Sequence, residues 1–288
     1  MRIAISGAGV AGTALAHWLQ RSGHQPTLIE RAPQFRTGGY MIDFWGIGYR
    51  VARKMGIEQT IRDAGYDVNA VRSLGPDGST RAELRVDVFR RMVGDDFTSL
   101  PRGDLAAAIY RTVEGRVPTL FDDSIAGIDQ RPDRVRVIDD AGWQCRRILA
   151  AVDDVDDLFF DVVSQIRMDH WSQDRVLLIG DAAGCISLLG GEGTGLAITE
   201  AYALAGEIAR AGGDHRRAFE AYESLLRPFI AGKQAGAERM LGFFATRTRF
   251  GLWFRDVAMR AMNLGRPIAG LFAGTVRDHL DLPDYRLP

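Results

Sequence analysis

Arg2-Ile3-Ala4-Ile5-Ser6-Gly7-Ala8-Gly9-Val10-Ala11-Gly12 is the stretch whose reading decides the fold. Arg2 to Ser6 is short and rich in isoleucine, and reads as a buried strand. The glycines follow at once. Thr13 to Arg21 then reads as a helix, with Leu15, Ala16 and Leu19 on one face. Gly23 is the residue without Cβ that a helix end favours. Thr27 to Ile29 forms a second strand, and Glu30 stands at its end. Strand, glycine turn, helix, and a strand closed by an acid together open a nucleotide-binding α/β sheet.

Each position has a physical task. Gly7 permits the tight turn out of the strand, Gly9 lets a pyrophosphate approach the backbone, and Gly12 lets the helix pack close to the strand. Val10 and Ala11 begin the helix, where free N–H groups and the positive dipole end face the phosphates. Glu30 accepts hydrogen bonds from ribose hydroxyls and would repel a 2′-phosphate, which disfavours NADP at this site. The motif does not by itself separate FAD from NAD.

A second constellation lies far downstream, in Trp171-Ser172-Gln173-Asp174-Arg175-Val176-Leu177-Leu178-Ile179-Gly180-Asp181-Ala182-Ala183. Arg175 to Ile179 reads as a continuous buried strand, ended by Gly180 and Asp181. A loop with Gly190, Gly191, Gly193 and Gly195 leads into a helix over about 196–210, with Ala197, Ala201, Leu204, Ala205 and Ile208 on one face. This is a second anion-friendly helix start. Taken alone, Asp181 would be an ordinary capping aspartate.

The two motifs together resemble the class A FAD-dependent monooxygenases of the para-hydroxybenzoate-hydroxylase type, with their GDAA…G-x-G run and W…RV…GD lead-in. The resemblance implies FAD as cofactor and NADPH or NADH as reductant. Asp181 would bind the ribityl chain, with Gly191, Gly193 and Thr194 beside the isoalloxazine ring. In Leu100-Pro101-Arg102-Gly103, Arg102 matches an arginine that reaches the FAD. Gly39, within Gly38-Gly39-Tyr40, falls where the chain passes the adenosine and the ring edge. Arg31 and Arg36 are candidates to help near the phosphates, with a simply solvated arginine as the alternative for either. Three positions depart from the family loop: Glu192 replaces a glutamine, Leu188 a proline, and Gly184 a histidine.

The resemblance is interrupted. Val135 to Asp140 resembles the strand before the family's D-G motif, yet no such motif follows. Gly142 to Arg167 instead resembles the end of the substrate domain. The chain therefore reads as a family member lacking an internal block of roughly one hundred residues, with the join near Asp140 to Gly142. Without the covering sheet, a flavin hydroperoxide would decay to hydrogen peroxide and strand edges would be exposed.

The remainder is plainer. Val71 to Leu74 and Arg81 to Phe89 alternate around Pro76-Asp77-Gly78 and read as a hairpin. With 36 Lys and Arg against 37 Asp and Glu, a net charge of -1 gives no case for nucleic acid. Cys145 and Cys185 make neither a metal pair nor a disulfide framework. Asp153-Asp154 and Asp156-Asp157 read as a solvated turn, the five histidines have no ligand spacing, and no metal is expected. The N-terminus is not a targeting signal, and no run reaches a membrane span. Ile268 to Ala273 reads as part of a packed C-terminal helix, and a cytoplasmic location is expected.

The expected fold is thus α/β: a discontinuous Rossmann-like FAD-binding domain of the para-hydroxybenzoate-hydroxylase type over 1–70, 98–140 and 171–226. A reduced substrate domain falls over 71–97 and 141–170, and C-terminal helices over 227–288. The expected activity is hydroxylation of an aromatic or polycyclic small molecule with molecular oxygen, on a flavin reduced by NAD(P)H. No catalytic acid or base is assigned. A truncated, incompetent flavin-binding protein is the main alternative, and an NAD-dependent dehydrogenase using the first motif alone is a third.

Overall fold

In the computed structural model, the strand that opens the sequence, β1 (Arg2–Ser6), pairs in parallel with β2 (Gln25–Glu30), placing Ile5 opposite Leu28. Between them runs α1 (Val10–Arg21), ended where Gly23 turns at φ +77°. The structure describes residues 1–66, 68–74, 79–94, 96–130, 135–139, 164–187, 191–244, 249–263 and 280–287. β3 (Met41–Trp45) runs antiparallel to β6 (Phe97–Pro101), and β4 (Ala70–Leu74) pairs with β5 (Thr80–Arg85). β7 (Thr119–Phe121) joins β2 in parallel, giving a sheet ordered β1-β2-β7. β8 (Ile125–Gln130) and β9 (Val135–Asp139) form a further hairpin.

The helices carry most of the core. α2 (Gly46–Lys54), α3 (Glu58–Asp63), α4 (Val86–Val93) and α5 (Arg102–Arg111) precede the second motif. After it come α6 (Asp181–Gly184), α7 (Gly193–Arg210), α8 (His215–Phe244) and α9 (Arg249–Met262). α1 and α7 are packed together, and every residue of α7 from Gly195 to Ile208 is buried. Both helices are rich in alanine and glycine, so their backbones can approach closely. Trp18 meets Tyr202 edge-on at 5.0 Å across this interface. The β4–β5 hairpin is held by α9: Asp256 Oδ1 accepts from Ser73 at 3.1 Å, and Ala82 and Met259 form a small second core.

Several expectations change. The strand expected over Arg175 to Ile179 shrinks to β11 (Val176–Leu177), paired with β10 (Ser172–Gln173), and its residues are half-buried. β1, expected to be buried, is exposed at Arg2, Ala4 and Ser6. Among the described residues β1 is paired on one side only, so Arg175 to Ile179 does not extend its ladder. The strand expected through Phe89 stops at Arg85, because α4 begins there. The Arg85 guanidinium binds Asp87 in the first turn at 2.6 Å, and Gly94 closes the helix at φ +83°. α8 begins at His215 and runs through Pro228, well before the expected Arg227. Pro76-Asp77-Gly78, the Asp140 to Gly142 join, the 141–163 part of the reduced substrate domain, Cys145, the acidic run at 153–157, Leu188, Gly190 and Ile268 to Ala273 lie outside the described residues.

Candidate functional site

The first motif folds as its glycines require. Gly7 turns at φ +98°, and its N–H donates to Ile29 O at 2.7 Å, tying the turn to β2. At Gly12 a Cβ would overlap the carbonyl of Gly7, so helix and turn meet backbone to backbone. The position a Cβ would take at Gly9 faces open space, which leaves an approach to the turn from that side. No side chain caps the α1 N-terminus at Val10 and Ala11, so its N–H groups are available to an anion. Glu30 reaches back across the turn, accepting the N–H of Ala8 at 2.8 Å and that of Ala32 at 2.9 Å. Its carboxylate therefore stands at the lip of the glycine turn, where the ribose of a nucleotide would lie. Arg31 is exposed, and Arg36 approaches Glu30 only at 4.0 Å.

The second motif arrives at the same place. Gly180 turns at φ +64°, and its Cβ direction points at Ala11 Cβ only 3.0 Å away. Gly180 and Ala11 are far apart in sequence, yet α1 and the Gly180–Asp181 turn are in van der Waals contact. Asp181 begins α6 with its side chain exposed, and its Oδ1 lies 3.8 Å from the Cβ position of Gly193 at the start of α7. Like α1, α7 has no side-chain cap at its N-terminus, where Gly193 and Thr194 stand. Gly191 turns at φ +66° against the Trp45 indole, with 3.1 Å to its Cβ position.

A third strand of the site comes from the middle of the chain. The Arg102 N–H donates to Tyr40 O at 2.9 Å, and the Cβ direction of Gly39 lies 3.3 Å from Arg102 Cβ. Gly103 allows this approach, since a Cβ there would overlap Thr37 O. Arg102 and Gly39 are thus brought side by side.

Three residues were not singled out from sequence. Glu200, on α7 and 2% exposed, accepts the N–H of Gly180 and the Tyr222 hydroxyl, the latter at 3.1 Å. Burial drives its carboxyl up to about 7, against the pull of those two donors. The signal was present: one acid inside the small-residue run Ala197-Ile198-Thr199-Glu200-Ala201. Lys233, on α8, meets Glu192 at 2.5 Å, both side chains only about a tenth exposed (9% and 10%). The acid that replaces the family's glutamine is thus matched by a cation from α8, the helix that follows α7, a pairing that local sequence does not reveal.

A family model described as "FAD binding domain" matches residues 152–232. A flavin-dependent monooxygenase of Legionella longbeachae is 25% identical over 93% of this chain and 92% of its own. The FAD-dependent monooxygenase asL6 of Sarocladium schorii is 24% identical over 99% and 98%. Over most of its length the chain is thus similar to flavin-dependent monooxygenases. Among solved structures, the tetracycline destructase Tet(51) superposes with a TM-score of 0.75 over 99% of both chains at 23% identity. Klebsiella pneumoniae HpxO, solved with FAD and uric acid, gives 0.74 over 96% of both at 12% identity. These structures share the fold of this chain. The Legionella alignment runs over 375 positions although the chain has 288 residues, so the relative carries internal residues with no counterpart here.

Among the described residues no helix is long and apolar enough to cross a membrane. The residues present fit FAD: an open face over Gly9, two uncapped helix N-termini, an acid at the ribose position and a second acid beside the α7 start.

Proposed function

We propose that this chain is an FAD-dependent monooxygenase that uses NADPH or NADH and molecular oxygen to hydroxylate an aromatic or polycyclic small molecule in the cytoplasm. The observation that carries the reading is the contact of Gly180 with Ala11, which brings the two nucleotide-type motifs side by side. In the first, the N–H groups of Val10 and Ala11 take the pyrophosphate and Glu30 the adenosine ribose. Arg102, beside Gly39, and Arg31 supply positive charge. Asp181 accepts a ribityl hydroxyl, and Gly191, Gly193 and Thr194 present the positive end of α7 to the ring. Bound FAD would supply the oxygen chemistry, and the chain's own residues would orient it and limit water. A fused-ring substrate is supported by two fold neighbours, one named for destroying tetracycline and one solved with uric acid.

A second reading, a flavin-binding protein that reduces oxygen without hydroxylating anything, is favoured by the internal residues that relatives have and this chain lacks. One experiment separates the readings: purify the protein, record its visible spectrum, identify the released chromophore, then measure NAD(P)H oxidation and hydrogen peroxide together. FAD with substrate-stimulated oxidation and little peroxide supports the monooxygenase. FAD with one peroxide per NAD(P)H, whatever aromatic compound is added, supports the second reading. A colourless protein that takes up no FAD and retains NAD overturns both in favour of a dehydrogenase.

A further inference from the structure

Glu200 lies at the middle of α7, buried at the junction of three elements. Its Oε2 accepts the Gly180 N–H from the turn before α6 and, at 3.1 Å, the Tyr222 O–H from α8. We propose that Glu200 is a positioning residue for the flavin site: its ionised carboxylate fixes the Gly180–Asp181 turn in the form that receives the ribityl chain, and protonation loosens that turn and lowers FAD affinity. This rests on the FAD reading above.

The argument starts from Gly180. It turns at φ +64°, and the next residue, Asp181, lies by the α7 start, its Oδ1 3.8 Å from the Cβ position of Gly193. Such a turn is held by what its N–H finds, and here that is Glu200. A carboxylate accepts about twice as strongly as a neutral oxygen, so charge on Glu200 decides how firmly the turn is held. Tyr222 is fully buried, and burial together with Glu200 raises its phenol well above the ordinary value, so it stays a donor. Asp181 adds a second negative charge that pushes Glu200 up.

Other charged and titratable groups lie on the helices packed against α7. From α8, Glu223 faces Tyr222. From α1, His17 bonds the Thr112 hydroxyl at 2.9 Å and is lowered to about 4 by burial, so it is neutral throughout this range. From α2, Arg53 is engaged by Glu58 and Asp96, and Lys54 by Asp284. Glu200 itself is held at about 7.

The test compares the full chain with Glu200→Gln, which keeps an acceptor oxygen but neither charge nor titration. FAD dissociation constants are measured from pH 5.5 to 8.5, and the Gly180 amide resonance is followed in FAD-free protein over the same range. In the native chain FAD should bind about tenfold more weakly below neutrality than above it, a change of the size that separates a charged from a neutral hydrogen bond. The Gly180 resonance should titrate with the same midpoint. In Glu200→Gln both should be flat, with affinity at the native chain's low-pH limit. Tyr222→Phe, which removes one donor, should move the midpoint upward. A Gly180 resonance that does not titrate, or a Gln variant that keeps the native FAD profile, overturns the proposal. A titrating Gly180 in a protein that binds no FAD at any pH upholds the control of the turn and overturns the FAD reading instead.

Discussion

Glu192 and Lys233 show how one substitution is absorbed by its surroundings. The acid sits just before α7, and the ammonium 2.5 Å away is the cation that offsets it. Removing one member of a buried pair costs more than removing both, because the remaining charge keeps its desolvation penalty. Lys233→Met should therefore destabilise the protein by roughly 3–5 kcal/mol, while Lys233→Met with Glu192→Gln should return to within about 1–2 kcal/mol of the native chain. Urea unfolding of the two single variants and the double variant measures this, and additive effects would mean the pair is not coupled. Glu200 has a different signature. Its folded value of about 7 lies above the ordinary carboxyl value, so its neutral form contributes stability that is complete below about pH 4.5 and lost as pH rises through 7. Glu200→Gln should thus stabilise the apoprotein most above pH 7, by up to roughly 3 kcal/mol, and least near pH 5. A stability difference that does not vary with pH would refute this. The ionised form that holds the cofactor turn is then the one that folding disfavours, a conflict expected at a functional position.

At the scale of elements, the crossing of α2 with α7 rests on two glycines that are not equivalent. A Cβ on Gly48 would come within 2.9 Å of Gly195 backbone atoms, whereas a Cβ on Gly195 would meet its neighbours at 3.7–3.9 Å. Gly48→Ala should separate the helices and cost about 3 kcal/mol or more. Gly195→Ala should be neutral or stabilise by up to about 1 kcal/mol through helix propensity. Thermal melts of both variants decide it, and equal effects would contradict the asymmetry. That asymmetry was invisible in the sequence, where both residues are simply glycine. What could be read from sequence was the pair of glycine motifs, because strand, turn and helix each leave a local signature at Gly7 to Gly12 and again at Gly180 to Gly195. Arg175 to Ile179 was misread because its apolar pattern is local, whereas a strand needs a neighbour to bond. Lys233 and Tyr222 were missed because α8 meets α7 only after the chain has turned back on itself.

Considered as a whole, the molecule joins the start of the chain to residues from 180 onward, and the two motifs meet where Gly180 approaches Ala11. Glu30 and the α1 N-terminus belong to the first motif, Asp181 and the α7 start to the second. A ligand that spans both should stabilise the fold more than one that reaches only the first, since each added contact is made in the folded state alone. FAD at about a hundred times its dissociation constant adds about 2.7 kcal/mol, which for a chain of this size raises the melting temperature by roughly 5–10 °C. ADP carries the adenosine and pyrophosphate but no ribityl chain or ring, so at equal concentration it should give a clearly smaller shift. Asp181→Ala should reduce the FAD shift toward that of ADP while leaving the ADP shift unchanged, because on the proposed reading the exposed Asp181 side chain would meet only the ribityl half of the ligand. Losing one hydrogen bond to a charged group corresponds to roughly ten- to hundredfold in affinity. If FAD and ADP stabilise the native chain equally at matched concentrations, the second motif makes no contact with the ligand, and the first motif alone is a mononucleotide site, the Gly180–Asp181 turn serving only to cap α6.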